Sequence, residues 1–208
     1  MAYEENYKSL LSEYLDARSL MSKKVNIVDS YIDIGGSLLD IGVGTGELVE
    51  LEKHKFDRVY GIDMSKESID LCSRRFEEDQ NITLIQSDIT ALSHYFKSGQ
   101  FDCVTCLDIL EHIDLKECKK TLSTIMDLLY DGGKFIFTGP GLREKVRIRL
   151  GRSYHVHSHS SYGWERILKQ AGLIVTSVET VEFPIIHSEF LRKKLHLFGK
   201  CCLIVARK

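Results

Sequence analysis

Residues 37–48 read Ser37-Leu38-Leu39-Asp40-Ile41-Gly42-Val43-Gly44-Thr45-Gly46-Glu47-Leu48. Leu38, Leu39 and Ile41 form a short apolar run that reads as a buried strand closing at Asp40–Ile41. Three glycines then alternate with Val43 and Thr45, and an amphipathic helix is expected from Glu47. A strand that turns through glycines into a helix brings bare backbone N–H groups close to a ligand. A second apolar run, Val59-Tyr60-Gly61-Ile62, ends at Asp63. Asp63 follows the glycines by roughly twenty residues, the separation at which a nucleotide-binding unit sets an acid on ribose hydroxyls.

Outward from this stretch, strand-like and helix-like segments alternate. Strands are expected at 37–41, 58–62, 82–86, 101–106 and 133–138, and helices near 46–54, 66–77, 90–95 and 116–130. This rhythm predicts a parallel sheet covered on both faces. Further on, Ser161–Ala171 reads as a helix stopped by Gly172, and Leu173–Thr180 and Leu203–Ala206 read as strands joined by residues 182–200. Ahead of the sheet, Leu10, Leu11, Tyr14, Leu15, Leu20 and Met21, then Val25, Ile27, Val28 and Tyr31, recur at helical spacing. They predict two helices broken near Ser22-Lys23-Lys24, lying either over the ligand mouth or on the domain edge. Neither repeats nor linker-like stretches interrupt the chain, so residues 1–208 are expected to form one domain.

The chain has 208 residues, 43% of them hydrophobic and 28% charged, ordinary for a globular protein with a full core. No apolar run approaches the roughly eighteen residues of a membrane-spanning helix. The start, Met-Ala-Tyr-Glu-Glu-Asn-Tyr-Lys, is acidic and polar rather than a secretory signal, and a cytoplasmic location is expected. Cys103 and Cys106 form a Cys-x-x-Cys pair inside a strand-like run, where side chains three apart diverge, so they read as small buried residues. Residues 142–208 carry thirteen Lys/Arg against five Asp/Glu, which marks either an acidic partner or a solvated face.

Asp40 through Gly46, followed by Tyr60-Gly61-Ile62-Asp63, resembles the S-adenosylmethionine site of class I methyltransferases. Ile82-Thr83-Leu84-Ile85-Gln86-Ser87-Asp88-Ile89 is similar to that family's third strand. Phe101-Asp102 through Leu107-Asp108-Ile109-Leu110-Glu111-His112-Ile113 is similar to its fourth strand and Glu-His motif, and Asp131-Gly132-Gly133-Lys134-Phe135 to the turn before strand five. The small-molecule group that includes the ubiquinone-biosynthesis O-methyltransferases is most similar. The resemblance implies an α/β, Rossmann-like doubly wound seven-stranded sheet, mostly parallel with an antiparallel last strand. It divides the chain into a helical leader (1–35), a cofactor-binding half (36–140) and a substrate-side half (141–208).

The same resemblance assigns roles. Asp40 would help hold the methionine end of S-adenosylmethionine, with Gly42, Gly44 and Gly46 beneath it and Asp63 on the ribose. Asp88 would meet the adenine amino group and Met64 lie against its ring, with Ile89 and Leu107 also binding the cofactor, although Asp88 equally suits a helix cap and Met64 a core position. Some relatives use Glu-x-x-Glu-His and a later His to bind a divalent cation. Here Asp108, Glu111 and His112 offer a shorter first ligand, so the cation is a minority reading and no metal is the main expectation. The preferred role for His112 is a base or substrate contact.

His155, His157 and His159 alternate in Tyr154-His155-Val156-His157-Ser158-His159, and strand geometry would aim all three one way. His155 and His157 join His112 as catalytic candidates. Arg143, Lys145, Arg147, Arg149 and Arg152 flank them and suggest either an acidic or phosphorylated acceptor or a solvated lid face. The expected activity is methyl transfer to a small molecule, at oxygen. The competing readings are an RNA or protein methyltransferase, a non-catalytic S-adenosylmethionine-binding scaffold and a nicotinamide dehydrogenase. A pI of about 6.4 and the lack of a nucleic-acid module weigh against DNA or RNA. The tight glycine spacing and Asp40 weigh against a dinucleotide.

Overall fold

The computed structural model describes residues 24–141, 144, 148–151, 155–181 and 201–208. Seven strands make one sheet: β1 (Gly35–Ile41), β2 (Phe56–Asp63), β3 (Ile82–Gln86), β4 (Phe101–Leu107), β5 (Leu129–Pro140), β6 (Ile174–Val181) and β7 (Cys201–Arg207). Their order is β3-β2-β1-β4-β5-β7-β6, with β7 antiparallel to both its neighbours and the other pairings parallel. The expected doubly wound sheet with an antiparallel last strand is therefore present.

Helices α1 (Glu47–Glu52), α2 (Lys66–Arg75), α3 (Leu115–Leu128) and α4 (Ser161–Gln170) connect the strands. Adjacent residues on a strand face opposite ways, and the core divides accordingly. Leu38, Cys103, Ile136, Leu203 and Val205 face a layer containing Val25, Val28, Leu48, Val49 and Phe76. Leu39, Val104, Phe135, Phe137 and Ile204 face the layer of Leu122, Ile125, Trp164 and Leu168. Each fully buried side chain of this size contributes roughly 1.5–3 kcal/mol, so the near-continuous apolar runs in β1, β4 and β7 reflect burial on both faces. All six cysteines are free and buried, which accords with Cys103 and Cys106 serving as core residues.

Three local outcomes differ from the sequence reading. The segment expected as a helix at 90–95 is a 3-10 turn, Ile89–His94, capped by Asp88, whose Oδ1 accepts from Thr90 N at 2.8 Å. Strand β5 begins at Leu129, before Asp131-Gly132-Gly133, and the glycines mark a register shift opposite Phe101/Cys103 instead of ending the strand. Of the two leader helices, the first lies outside the described residues, and residues 24–29 form the second.

This leader helix crosses the sheet face. At one end Lys24, only 8% exposed, pairs with Asp108 just beyond β4. At the other, Lys55 before β2 pairs with Asp29, and Lys134 Nζ reaches the Tyr31 carbonyl at 2.9 Å and Asp33 at 2.6 Å. Tyr31 donates its hydroxyl to Glu179 on β6. Ion pairs with the sheet thus fix both ends of the leader while Val25, Val28 and Ile32 bury its apolar side.

Beside Asp29, the Glu52 side chain is fully buried, 3.2 Å from Lys55 Nζ; burial, with a hydrogen bond that its protonated carboxyl donates to Asp29, pushes that carboxyl up to about 7. The folded protein keeps a proton there that the unfolded chain releases, so this group makes stability fall as pH rises from the ordinary glutamate range through about 7. Glu52→Gln should flatten that slope. Its melting temperature relative to wild type should rise by about 5–10 °C between pH 5 and pH 8, as measured by thermal unfolding.

Candidate active site

Strand order reverses between β1 and β4: the chain leaves β1 toward β2 and returns to pair β4 on the other side. The connections diverge there and leave a crevice at the carboxyl ends of the two strands. The Gly42–Gly46 turn follows β1 and residues 108–113 follow β4, and the Ile109 side chain packs where a Gly42 side chain would stand. The two turns are thus in contact.

The three glycines have separate reasons. All have positive φ, at 79°, 54° and 80°. A Cβ on Gly42 would run into Ile109, and one on Gly46 would lie 2.7 Å from Phe76 and 3.1 Å from the Cys72 sulfur. Those two permit packing. Gly44 differs: a Cβ there would meet nothing nearer than the Gly42 carbonyl oxygen at 3.9 Å. Its space opens outward, and its N–H donates to Asp63 Oδ2 at 3.0 Å. Asp63 Oδ1 accepts from Ser65 N at 2.9 Å, so backbone bonds fix this carboxylate at the β2 terminus.

Asp40 lies beneath the turn, buried, with Oδ1 accepting from Thr105 Oγ1 at 2.7 Å on the neighbouring strand. Burial pushes its carboxyl up to about 6 despite that bond. Met64 is 74% exposed beside Asp63, a position that leaves a large apolar side chain without a core. Asp88 is exposed and caps the turn in which Ile89 is buried, while Leu107 is half-buried at the end of β4. The β1, β2, β3 and β4 termini therefore present these residues at one end of the sheet.

Beyond β4 the chain bends sharply. Asp108 is the one non-glycine with positive φ (56°) among the described residues. Its side chain accepts from Lys24 and, at 3.0 Å, from Thr138 Oγ1. Asp108 is therefore not placed in helical register with Glu111 and His112, and the trio suggested by the sequence gives way to another. Glu111, His112 and His155 bring ligand atoms within 4.8 Å of one another, an arrangement able to hold a divalent cation. Burial, and then the Asp108 charge, push the Glu111 carboxyl up to about 8. His112 is exposed at the rim, and its pKa is lowered by partial burial and by His155.

The three alternating histidines do not point one way, because residues 155–160 form no strand. Val156 N and His157 N both donate to the Glu111 carbonyl, at 2.9 and 3.4 Å. His155 meets His112 edge-on, with ring centroids 4.9 Å apart, and its Nδ1 lies 3.1 Å from Glu144 Oε1. His157 and His159 instead pack on the buried Trp164 ring, and burial lowers the His157 pKa. Sequence reading missed Lys24 and Glu144, since neither belongs to a motif. Arg149 is exposed, and Arg143, Lys145, Arg147 and Arg152 lie outside the described residues.

Comparison with known proteins agrees with this geometry. A family model described as a methyltransferase domain matches residues 38–133, spanning β1 to the start of β5. The ubiquinone biosynthesis O-methyltransferase of Aeromonas salmonicida is 28% identical over 170 residues, covering 75% of this chain and 70% of that protein. The ubiquinone biosynthesis O-methyltransferase of Coxiella burnetii is 32% identical over 118 residues, 55% of this chain and 48% of its own length. The chain therefore spans about half the length of that second relative. Among solved structures, the N-methyltransferase NodS of Bradyrhizobium japonicum in complex with S-adenosyl-L-homocysteine superposes with a TM-score of 0.69 at 17% identity, over 91% of this chain and 87% of that one. The glycine turn at the switch point, the fixed acid after β2 and these matches identify residues 38–133 as a methyltransferase domain of the class I, S-adenosylmethionine-dependent kind.

Proposed function

We propose that the chain transfers the methyl group of S-adenosylmethionine to an oxygen of a small-molecule acceptor. One observation carries this reading: the glycine turn after β1, open at Gly44, touches the turn after β4 that carries His112, against which His155 packs. The residues fit the cofactor on structural grounds. Gly44 leaves a floor that a side chain would fill, Asp63 is held at its edge, and Met64 offers an unburied apolar side chain beside it. When bound, S-adenosylmethionine supplies a methyl group on a sulfonium whose sulfur departs as a neutral thioether. The chain's task is to align donor and acceptor and to manage the acceptor's proton.

In this reading Asp63 holds the ribose hydroxyls, and Asp40 supports the methionine end. Met64, Asp88, Ile89 and Leu107 border the adenine. His112, kept neutral by its lowered pKa, accepts the proton that a hydroxyl sheds as it is methylated, with His155 behind it. His157, packed on Trp164, would shape the acceptor side. The basic excess of residues 142–208 supports an acidic or phosphorylated acceptor. A second reading, favoured by the proximity of Glu111, His112 and His155, places a divalent cation there to grip acceptor oxygens. Chelator treatment separates the two, because turnover that survives EDTA excludes the cation.

Calorimetric titration with S-adenosylmethionine, S-adenosylhomocysteine and NAD should show binding of the adenosyl pair alone; binding of NAD alone would overturn the reading. Asp63→Ala should weaken S-adenosylhomocysteine binding by about 1–3 kcal/mol, the scale of hydrogen bonds to a charged group. His112→Ala should lower turnover of hydroxylated aromatic acids on the order of 10²-fold while S-adenosylhomocysteine affinity stays within about twofold. The glycines should split. Gly46→Ala should lower stability in urea by about 1–3 kcal/mol beyond the backbone cost it shares with Gly44→Ala, because it overpacks Phe76. Gly44→Ala should lose more cofactor affinity.

A further inference from the structure

Glu144 is a glutamate only 8% exposed, past the end of β5, where its N–H donates to the Gly141 carbonyl at 3.1 Å. Carboxylates are seldom so buried without a specific partner. Its Oε1 lies 3.1 Å from His155 Nδ1, at ion-pair distance and off hydrogen-bond alignment, and the two side chains retain only 10% and 16% exposure. The His155 ring then meets His112 at an interplanar angle of 69°. The two residues that follow His155 are also constrained, since Val156 N and His157 N both donate to the Glu111 carbonyl. Acid, inner imidazole and rim imidazole therefore follow one another from the protein interior to the crevice rim.

We propose that Glu144 is a positioning residue that acts through His155. A carboxylate at Nδ1 selects the tautomer with its proton on that nitrogen, which leaves Nε2 as a bare acceptor. The same logic lets a buried acid set the orientation and tautomer of a general base elsewhere. The catalytic consequence rests on the oxygen-acceptor reading above, whereas the tautomer does not. As the acceptor O–C bond forms and the S–C bond breaks, the acceptor O–H proton passes to the His112–His155 pair. Among the described residues, Glu111 also faces the pair, and Asp108 acts on His112 while paired with Lys24.

The test is long-range proton–nitrogen NMR of the histidine rings in the full chain, comparing wild type with Glu144→Ala, Glu144→Asp and the closer-shaped Glu144→Gln. His155→Gln identifies the resonance. Wild type should show His155 protonated on Nδ1. Glu144→Ala should move the proton to Nε2, and Glu144→Asp should restore the wild-type pattern at least in part. With 3,4-dihydroxybenzoate as the probe acceptor, kcat should fall on the order of 10²-fold in Glu144→Ala, with S-adenosylhomocysteine Kd within about twofold of wild type.

An Nε2-protonated His155 in wild type overturns the proposal, as does an unchanged tautomer in both Glu144→Ala and Glu144→Gln. Selective broadening of the His112 and His155 signals by micromolar Mn²⁺ in wild type but not in Glu144→Ala would make Glu144 a cation ligand and equally overturn it. If wild type binds S-adenosylhomocysteine but leaves the probe unmethylated, the reading of this phenolic acceptor fails on its own, and the NMR result still decides the role of Glu144.

Discussion

Everything at the ligand end of this protein depends on β1 pairing in parallel on both sides. Leu39 is opposite Tyr60 of β2 on one side and Val104 of β4 on the other. With both edges used, β1 must be buried on both faces, and its exit cannot stay in the sheet. The chain leaves through glycines because Ile109 and Phe76 occupy the spaces that side chains would need. The crevice follows from that crowding, since the helices after β1 and β4 lie on opposite faces of the sheet and diverge.

Electrostatics then specialise the two sides of the crevice. On the cofactor side, acids are held by backbone N–H groups or a neighbouring hydroxyl, as Asp63 is by Gly44 and Ser65 and Asp40 by Thr105. On the acceptor side, the acids meet cations or imidazoles: Asp108 pairs with Lys24, and Glu144 approaches His155. Burial and the Asp108 charge push Glu111 up to about 8, so it holds its proton at neutral pH. In the proposed reading, an uncharged Glu111 beside His112 and His155 limits the negative charge that the acceptor must approach.

Legibility in the sequence followed the range of the interaction. The strands were readable because two-sided burial writes continuous apolar runs such as Leu203-Ile204-Val205. The glycine turn was readable because backbone conformation and close packing at Gly42 and Gly46 are local demands. The 3-10 turn at Ile89–His94 was harder, since a short apolar segment after a cap fits either helix type. Asp131-Gly132-Gly133 reads as a turn, yet continuing β5 pairing absorbs it. Least readable were the partners of the acceptor side. Lys24 and Asp108 are 84 residues apart, and no periodicity relates them. Asp108 also departs from helical register, which a spacing argument assumes.

The crossing of the leader helix has a bearing on where this fold can be trimmed. The sheet begins at Gly35, and a cut just before it would leave all seven strands in place. It would nonetheless remove the ammonium of Lys24 from the crevice and leave Asp108, half-buried and in a conformation unusual for a non-glycine residue, beside Glu111 without its cation. The smallest unit that keeps the acceptor side electrically balanced is therefore larger than the smallest unit that completes the sheet. The Lys24–Asp108 pair alone carries the required chain some ten residues upstream of the point where strand pairing begins.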